Sequence, residues 1–247
     1  MGKAVALKSP RRGGGARKAR RAPRTSSRNR SYLWYLAGAV LAAAVVRTFL
    51  LQGFRVPSHS MEDSLLLGEC VAVEKLSYGP PVPFTGLRLP AIDQPAPGDL
   101  LVFRYPADPQ RTYLKRCIAV EGQQVEIRDK VVLVDGVRVP VPARAKNADP
   151  RIFASSQLPR DNMTPRQVPP GHLFVLGDNR DYSRDSRSWG FLPRELVVGR
   201  VLCVYWSCEA EKAVDFSAVA ALPGVLYDQA RSLPERIRWQ RLGTFVQ

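Results

Sequence analysis

Hydrophobic positions along this chain fall into two regimes. Between residues 32 and 46 every position is apolar, Ala or Gly, and Phe49, Leu50 and Leu51 carry the run past the single charge of Arg47. As a helix, about twenty such residues span about 30 Å, the thickness of a bilayer's hydrocarbon core. Beyond residue 53 the pattern breaks into short segments rich in Val, Leu, Ile, Tyr and Phe, each bounded by turn residues. They are CVAVEKL (70–76), DLLVFRYP (99–106), TYLKRCIAV (112–120), QVEIR (124–128), VVLVDGVRV (131–139), HLFVLGD (172–178) and LVVGRVLCVYW (196–206). This rhythm predicts strands, and Asp135-Gly136 between Val-rich arms predicts a hairpin turn. The expected fold class is mainly β, with antiparallel pairing. A Pro-rich stretch, 79–97, and a polar one, 140–170, read as surface excursions. The segment LPERIRWQRLG (233–243) is basic and amphipathic, and its pattern alone assigns it no function.

Composition sharpens the first regime. With 247 residues, 45% of them apolar, the chain can bury one domain with an appendage, or two small domains. The formal charge of +15 is unevenly spread. Eleven of the 37 Lys and Arg fall in the first 30 residues, which hold no acid, so the rest of the chain carries 26 basic groups against 22 acidic ones. The Gly13-Gly14-Gly15 run and scattered Ser and Pro of that tail cannot build a core, and a disordered basic tail is expected over 1–30. Such a tail could be a solvated charge run or a nucleic-acid arm. The apolar run that follows makes it the cytoplasmic flank of a membrane anchor instead, and no nucleic-acid partner is expected. Tyr32, Trp34 and Tyr35 mark one end as interfacial aromatics do, and Arg47 lies near the other, where a long side chain can snorkel. The division expected is a tail over 1–30, a single transmembrane anchor over 31–53, and an extracytoplasmic β-rich domain over 54–247 with a small insertion at 140–170. A cleaved signal peptide is the rival reading, since Ala42, Ala43 and Ala44 are small; a buried core helix is the bland one.

Candidate chemistry starts from an inventory. The chain has two histidines. His59 lies between Ser58 and Ser60, where its ring is poorly placed to serve either hydroxyl, and His172 opens an apolar strand as structural histidines do. A Ser-His-Asp triad is therefore disfavoured. A lysine can replace the histidine if burial lowers its pKa toward neutrality, because desolvation penalises the charged form. In TYLKRCIAV, strand alternation sends Tyr113, Lys115 and Cys117 to one face and Leu114 and Arg116 to the other. Charges on both faces of a central strand are expensive unless one is neutral or paired. The alternative is an edge strand with Lys115 in water. Two histidines and four cysteines without CxxC spacing make no metal-ligand set, so no metal or other cofactor is expected. Cys70, Cys117, Cys203 and Cys208 would meet an oxidising compartment, yet Cys203 and Cys208 lie too far apart to pair along a straight strand.

The stretch FVLGDNRDYSRDSRSWG (174–190) runs from an apolar strand into a loop of interleaved acids and arginines. Asp178, Arg180, Asp181, Arg184, Asp185 and Arg187 could satisfy one another there and hold a small hydroxyl such as that of Ser183. At this point the chain resembles the bacterial type I signal peptidases, serine proteases with a Ser/Lys dyad. VPSHSM (56–61) is similar to their nucleophile box, PGDLLVFRYP (97–106) to the second box and YLKR (113–116) to the lysine box. GDNRDYSRDSRSWGFLP (177–193) is similar to the long signature near the end. With the anchor, the match covers most of 32–206.

The resemblance implies a β-rich catalytic core with a small inserted subdomain. It implies Ser60 as nucleophile, Lys115 as general base, and Ser58 with the Ser60 N–H as the oxyanion hole. Ser183 would orient the lysine, Arg116, Asp178, Asp185 and Arg187 would brace the site, and Met61 would pack beside the substrate. The implied substrates are the signal peptides of secreted preproteins, cut after small residues in the Ala-X-Ala pattern. The implied location is the cytoplasmic (inner) membrane, with the catalytic domain on its outer face. Ser60 lies nine residues past Leu51, hence within about 30 Å of the membrane edge. His59 stands where the family usually has Gly, Tyr182 where it often has Asn, and IAVEG (118–122) replaces its Leu-Pro-Gly ending. An inactive membrane-anchored homologue is one alternative. A self-cleaving repressor of the SOS type is another, but it should carry a helix-turn-helix, and none is visible.

Overall fold

The structure, a computed structural model, describes residues 27–83, 85–154, 160–209 and 235–246. Most of the basic tail expected to be disordered lies outside these residues. The apolar run forms helix α1 (Ser27–Val45), closed by a π-helical turn, Val46–Leu50. Together Ser31–Leu50 make a stretch long and apolar enough to cross a membrane. Strand β1 (Leu51–Arg55) follows without a linker, so the last residues of the expected anchor, 51–53, belong to a strand. Leu50 and Leu51 suit a helix end and a strand start equally well. What decides is the partner strand β2 (Cys70–Glu74), against which Leu51 pairs with Glu74 and Phe54 with Val71.

The remaining strands are β3 (Leu100–Tyr105), β4 (Asp108–Val120), β5 (Gln124–Arg128), β6 (Val131–Val134), β7 (Val137–Arg138), β8 (Met163–Gln167) and β9 (His172–Leu176). A short helix α2 (Ser186–Trp189) precedes β10 (Leu192–Pro193) and β11 (Val197–Trp206). Pairing is antiparallel throughout, in a seven-stranded sheet ordered β1-β2-β11-β3-β4-β9-β10 and a four-stranded sheet ordered β7-β6-β5-β8. Asp135 and Gly136 both take positive φ, 52° and 77°, and turn β6 into β7. Two successive left-handed residues match the right-handed twist of the arms, as the sequence predicted. Among the described residues of the 140–170 stretch, only Met163–Gln167 forms a strand. It forms one edge of the small sheet, where Pro165 leaves no ladder bond unmet, and the other three strands come from 124–138.

Strand β4 lies between β3 and β9, so Lys115 sits on a central strand and not on an edge. Alternation along β4 feeds separate apolar layers. Leu114 joins Val56, Met61, Leu65, Val71 and Val102, while Tyr113 and Cys117 join Leu101, Phe103 and Val175. A third layer, with Ile118, Val125, Ile127 and Phe174, ties the small sheet to the large one. Burial of these side chains removes apolar area from water at about 25 cal/mol per Å² and fixes the register of β4.

Candidate active site

The chain leaves β1 into a closed loop. Val56 N–H donates to Glu69 O at 2.8 Å and Gly68 N–H to Val56 O at 3.0 Å, so both ends of 56–69 are pinned by one residue pair or its neighbour. Val56, Met61 and Leu65 then turn inward to the core, and the intervening His59–Met61 winds as a single 3-10 turn. Ser60 is buried in that turn, and its N–H stands in the first turn of a helix, where no intrahelical carbonyl is available to it.

Lys115 reaches this serine from β4. Its Nζ donates to Ser60 Oγ at 2.5 Å, and Ser58 Oγ lies 3.0 Å from the same hydroxyl. Lys115 is only 4% exposed. Burial lowers its pKa from 10.5 to about 8, with Arg187 adding to the shift and Asp185 and Asp178 opposing it. The neighbouring charge on the strand is solved differently. Arg116, 3% exposed, forks onto Asp178 through Nε and Nη2 at 2.8 and 2.7 Å. One charge on β4 is thus depressed and the other paired, which is how a central strand tolerates both.

The loop after β9 frames these groups. Asp185 receives Nε and Nη2 of Arg187 at 2.8 and 2.7 Å and the Gly177 N–H at 3.1 Å, and caps α2 through the Arg187 N–H. Asn179 is a residue that sequence reasoning did not single out. Its N–H donates to Ser60 O at 3.1 Å, while its Nδ2 donates to Glu62 Oε2 at 3.2 Å and His59 O at 3.4 Å. The loop therefore grips the Ser60 turn, by backbone and side chain alike. Lys146, from the polar 140–170 stretch, pairs with Asp63 at 2.8 Å and bonds through its backbone to Asp178 and Arg180. No periodic pattern marks Asn179 or Lys146, because both sit in irregular loops outside the named strands and helices.

Two expected contacts are not formed. Ser183 does not hydrogen-bond Lys115. Its buried Oγ has no hydrogen-bond partner among the described residues, and it fills the hollow beside Gly177, where a Cβ would overlap it. Met61 is 1% exposed and packs into the core under the turn, because the 3-10 turn directs position 61 inward; it does not line the cleft beside Ser60. That cleft has a volume of about 520 Å³. Ser58, His59 and Ser60 form one wall, Arg111 to Lys115 the other, and Tyr182 and Arg184 close one end. His59 is exposed, with Nδ1 3.6 Å from Glu62 Oε1, and His172 Nδ1 bonds Pro170 O at 2.8 Å, away from Ser60. All four cysteines are free thiols, and burial pushes the Cys117 thiol up to about 12. A serine hydroxyl held by a buried amine near neutrality, beside an open trough, can lose its proton to that amine and attack a bound carbonyl.

The family described as signal peptidase, peptidase S26, matches residues 29–206. The chain is similar to a signal peptidase I of Pseudomonas fluorescens, 32% identical over 66% of this chain and 67% of the relative. It is also similar to a signal peptidase I of Bacillus caldolyticus, 33% identical over 72% of this chain and 91% of the relative. A third similar protein, a signal peptidase I of Aquifex aeolicus, is 27% identical over 80% of this chain and 93% of its own length.

Proposed function

The chain belongs to the signal peptidase, peptidase S26, family of serine peptidases, and on that footing we propose that it removes N-terminal signal peptides from secreted preproteins, with Ser60 as nucleophile and Lys115 as base. The single observation that carries the dyad is the hydrogen bond from buried Lys115 to Ser60. A lysine with its pKa lowered to about 8 is partly neutral near neutral pH, so it can take the hydroxyl proton as Ser60 attacks the scissile carbonyl.

The oxyanion then meets the Ser60 N–H and the Ser58 hydroxyl, which rotates from Ser60 Oγ toward the developing charge. Protonated Lys115 gives its proton to the leaving amine. Neutral again, it activates the water that hydrolyses the acyl-enzyme. The Arg116–Asp178 and Asp185–Arg187 pairs hold the lysine's surroundings rigid, and Ser183 orients the Lys115 amine once a modest side-chain rotation frees its hydroxyl from beside Gly177. Cleavage follows a small residue in an Ala-X-Ala pattern. The domain division proposed is a basic tail over 1–30, an anchor ending where β1 begins, and a catalytic domain beyond it. The anchor lies in the cytoplasmic membrane with the basic tail inside and the catalytic domain outside, because Lys and Arg favour the cytoplasmic flank.

The test is cleavage of a model preprotein in detergent by the wild type, Ser60→Ala and Lys115→Ala over a pH series. Loss of product in both variants, with wild-type activity rising through about pH 8, is expected. Undiminished cleavage by Lys115→Ala would remove the lysine from the chemistry.

A further inference from the structure

Beside β1, one face of the large sheet carries a second hollow of about 250 Å³, bordering the Ser60 cleft only at Thr112. Phe54, Val73 and Val102 supply an apolar floor from three strands, and Lys75, Arg88 and Arg104 line it together with one acid, Glu195. Lys75 is 8% exposed, and among the described residues its Nζ reaches a single partner, Gln52 Oε1, at 3.4 Å. Burial lowers its pKa, and the charges acting on it, Arg104 and Arg47, are both cations that lower it further. Arg104 is exposed and forms no hydrogen bond or ion pair with the described residues. Arg88 is already engaged. It donates to the carbonyls of Gly79, Tyr78, Glu195 and Val197 and feels the Glu195 carboxylate, so it straps the loop down.

The one acid of the hollow, Glu195, acts on Arg88, so the charges that act on the buried Lys75 ammonium are cations, which is unfavourable unless an anion arrives. The level of the hollow in the molecule says which anion. Lys75 N–H donates to Leu50 O at 2.9 Å, and Leu50 ends the membrane-length stretch Ser31–Leu50. Lys75 therefore lies level with the end of the apolar run, where headgroup phosphates lie. A guanidinium fork and a point-charge amine together suit a phosphodiester, and the apolar floor suits the glycerol end of an acyl chain.

We propose that Lys75 and Arg104 form a site for the phosphate of an anionic phospholipid headgroup, with Arg47 completing the positive rim. The site rests on the membrane anchoring proposed above but not on the Ser60–Lys115 chemistry.

The test uses the full chain in neutral detergent, titrated with short-chain phosphatidylglycerol, short-chain phosphatidylcholine and inorganic phosphate, with bound lipid read by native mass spectrometry. The wild type should prefer phosphatidylglycerol by about tenfold, roughly 1.4 kcal/mol. Arg104→Gln, an exposed change that spares the fold, and Lys75→Gln should each erase that preference. Unchanged preference in both variants would overturn the site. Inorganic phosphate displacing phosphatidylglycerol at equal concentration would overturn the lipid assignment. So would an acidic residue in a substrate peptide whose effect on cleavage vanishes in Arg104→Gln while lipid affinity stays put. Vesicle flotation separates the two layers of the reading. A chain that fails to float loses its anchor and the site together, whereas one that floats without preferring phosphatidylglycerol loses only the site.

Discussion

Gly177 and Ser183 occupy one space: the Ser183 side chain fills the hollow that a Cβ on Gly177 would need, and that Cβ would also come within 2.6 Å of the Ser60 carbonyl oxygen. The glycine therefore lets the loop after β9 press against the turn that carries Ser60. Its N–H is meanwhile fixed by Asp185, so the loop cannot retreat without breaking a buried charged hydrogen bond.

Gly177→Ala should consequently lower turnover by more than about 100-fold, since small displacements of reacting groups carry penalties of that order. Overpacking here should also destabilise the fold by about 1–3 kcal/mol. Adding Ser183→Gly removes the clash with the side chain but leaves the Ser60 carbonyl in the way. The double variant should regain stability more than activity. Kinetics and melting of the three proteins check this, and full activity in Gly177→Ala would mean the loop is free to move.

Lys115 links activity to stability with a definite sign. The unfolded chain holds the Lys115 proton up to about pH 10.5, the folded chain only to about 8. Between those values the unfolded state binds more protons, so stability rises with pH through that window. Below about pH 8 the folded protein bears the full penalty of a buried ammonium, about 3 kcal/mol at 1.36 kcal/mol per pKa unit. Lys115→Met should be inactive yet melt higher than the wild type at neutral pH, with the gap closing as pH approaches 10.5. A gap independent of pH would show that the lysine titrates normally.

Arg116 and Asp178 are both buried, so the pair is far more sensitive to losing one partner than its net worth suggests. Arg116→Ala leaves Asp178 uncompensated and should destabilise by about 3–5 kcal/mol. Because Arg116 also donates to Gly98 O at 2.8 Å, the start of β3 should loosen with it. Denaturant melts give the magnitude, and amide exchange across 98–103 locates the loosening. A loss under about 1 kcal/mol would put the pair in the class of exposed bridges.

The C-terminal strap offers a test at acid pH. Glu69 is 0% exposed and accepts from Arg241 Nε and Nη2 at 2.8 Å each, from Ser207 Oγ and from the Leu66 N–H. Burial by itself would raise its pKa, but the Arg241 fork and the other donors outweigh that and hold it below 4.5. The stabilisation is present above about pH 4.5 and fades as pH falls through the lower folded value. Arg241 also donates to Ser64 O at 2.9 Å, so the strap reaches the loop that carries Ser60. Arg241→Met should unfold at a higher pH than the wild type and be less active. An unchanged acid transition would deny the strap its role.

Much of this was legible in the sequence, for reasons visible in single residues. Alternation in 99–106 and 112–120 found β3 and β4, and two positive-φ residues at 135–136 followed from Asp-Gly. The Ser60–Lys115 pairing bridges 55 positions and came from motif resemblance, since spacing alone says nothing about so distant a contact. Strand β8 was hidden because MTPRQ is a polar edge strand interrupted by Pro, with no alternating face. Strand β1 was hidden inside the apolar run. The inward turn of Met61 and the placement of Ser183 depend on backbone direction within one turn, which composition does not encode. Asn179 grips the Ser60 turn across more than a hundred residues, through contacts that no local pattern announces.

His59 stands where the resemblance to signal peptidases leads one to expect a glycine, and its geometry says what a histidine does there. The ring is 64% exposed, leans toward Glu62 at 3.6 Å and contributes only its carbonyl to the packing, accepting from Glu62 N–H and Asn179 Nδ2. Those carbonyl bonds survive any side-chain change, so His59→Gly should fold, losing about 1 kcal/mol to the added freedom of glycine. Its effect on chemistry should be steric. Cleavage should stay within about threefold of the wild type, less than 1 kcal/mol on the barrier, and improve most for substrates with bulk next to the scissile bond. The pH profile should keep its rise near 8, because that limb belongs to Lys115. A profile shifted toward the ordinary histidine range in the wild type and lost in His59→Gly would move the base from the lysine to the imidazole. The inactive-homologue reading predicts instead that His59→Gly restores cleavage from nothing.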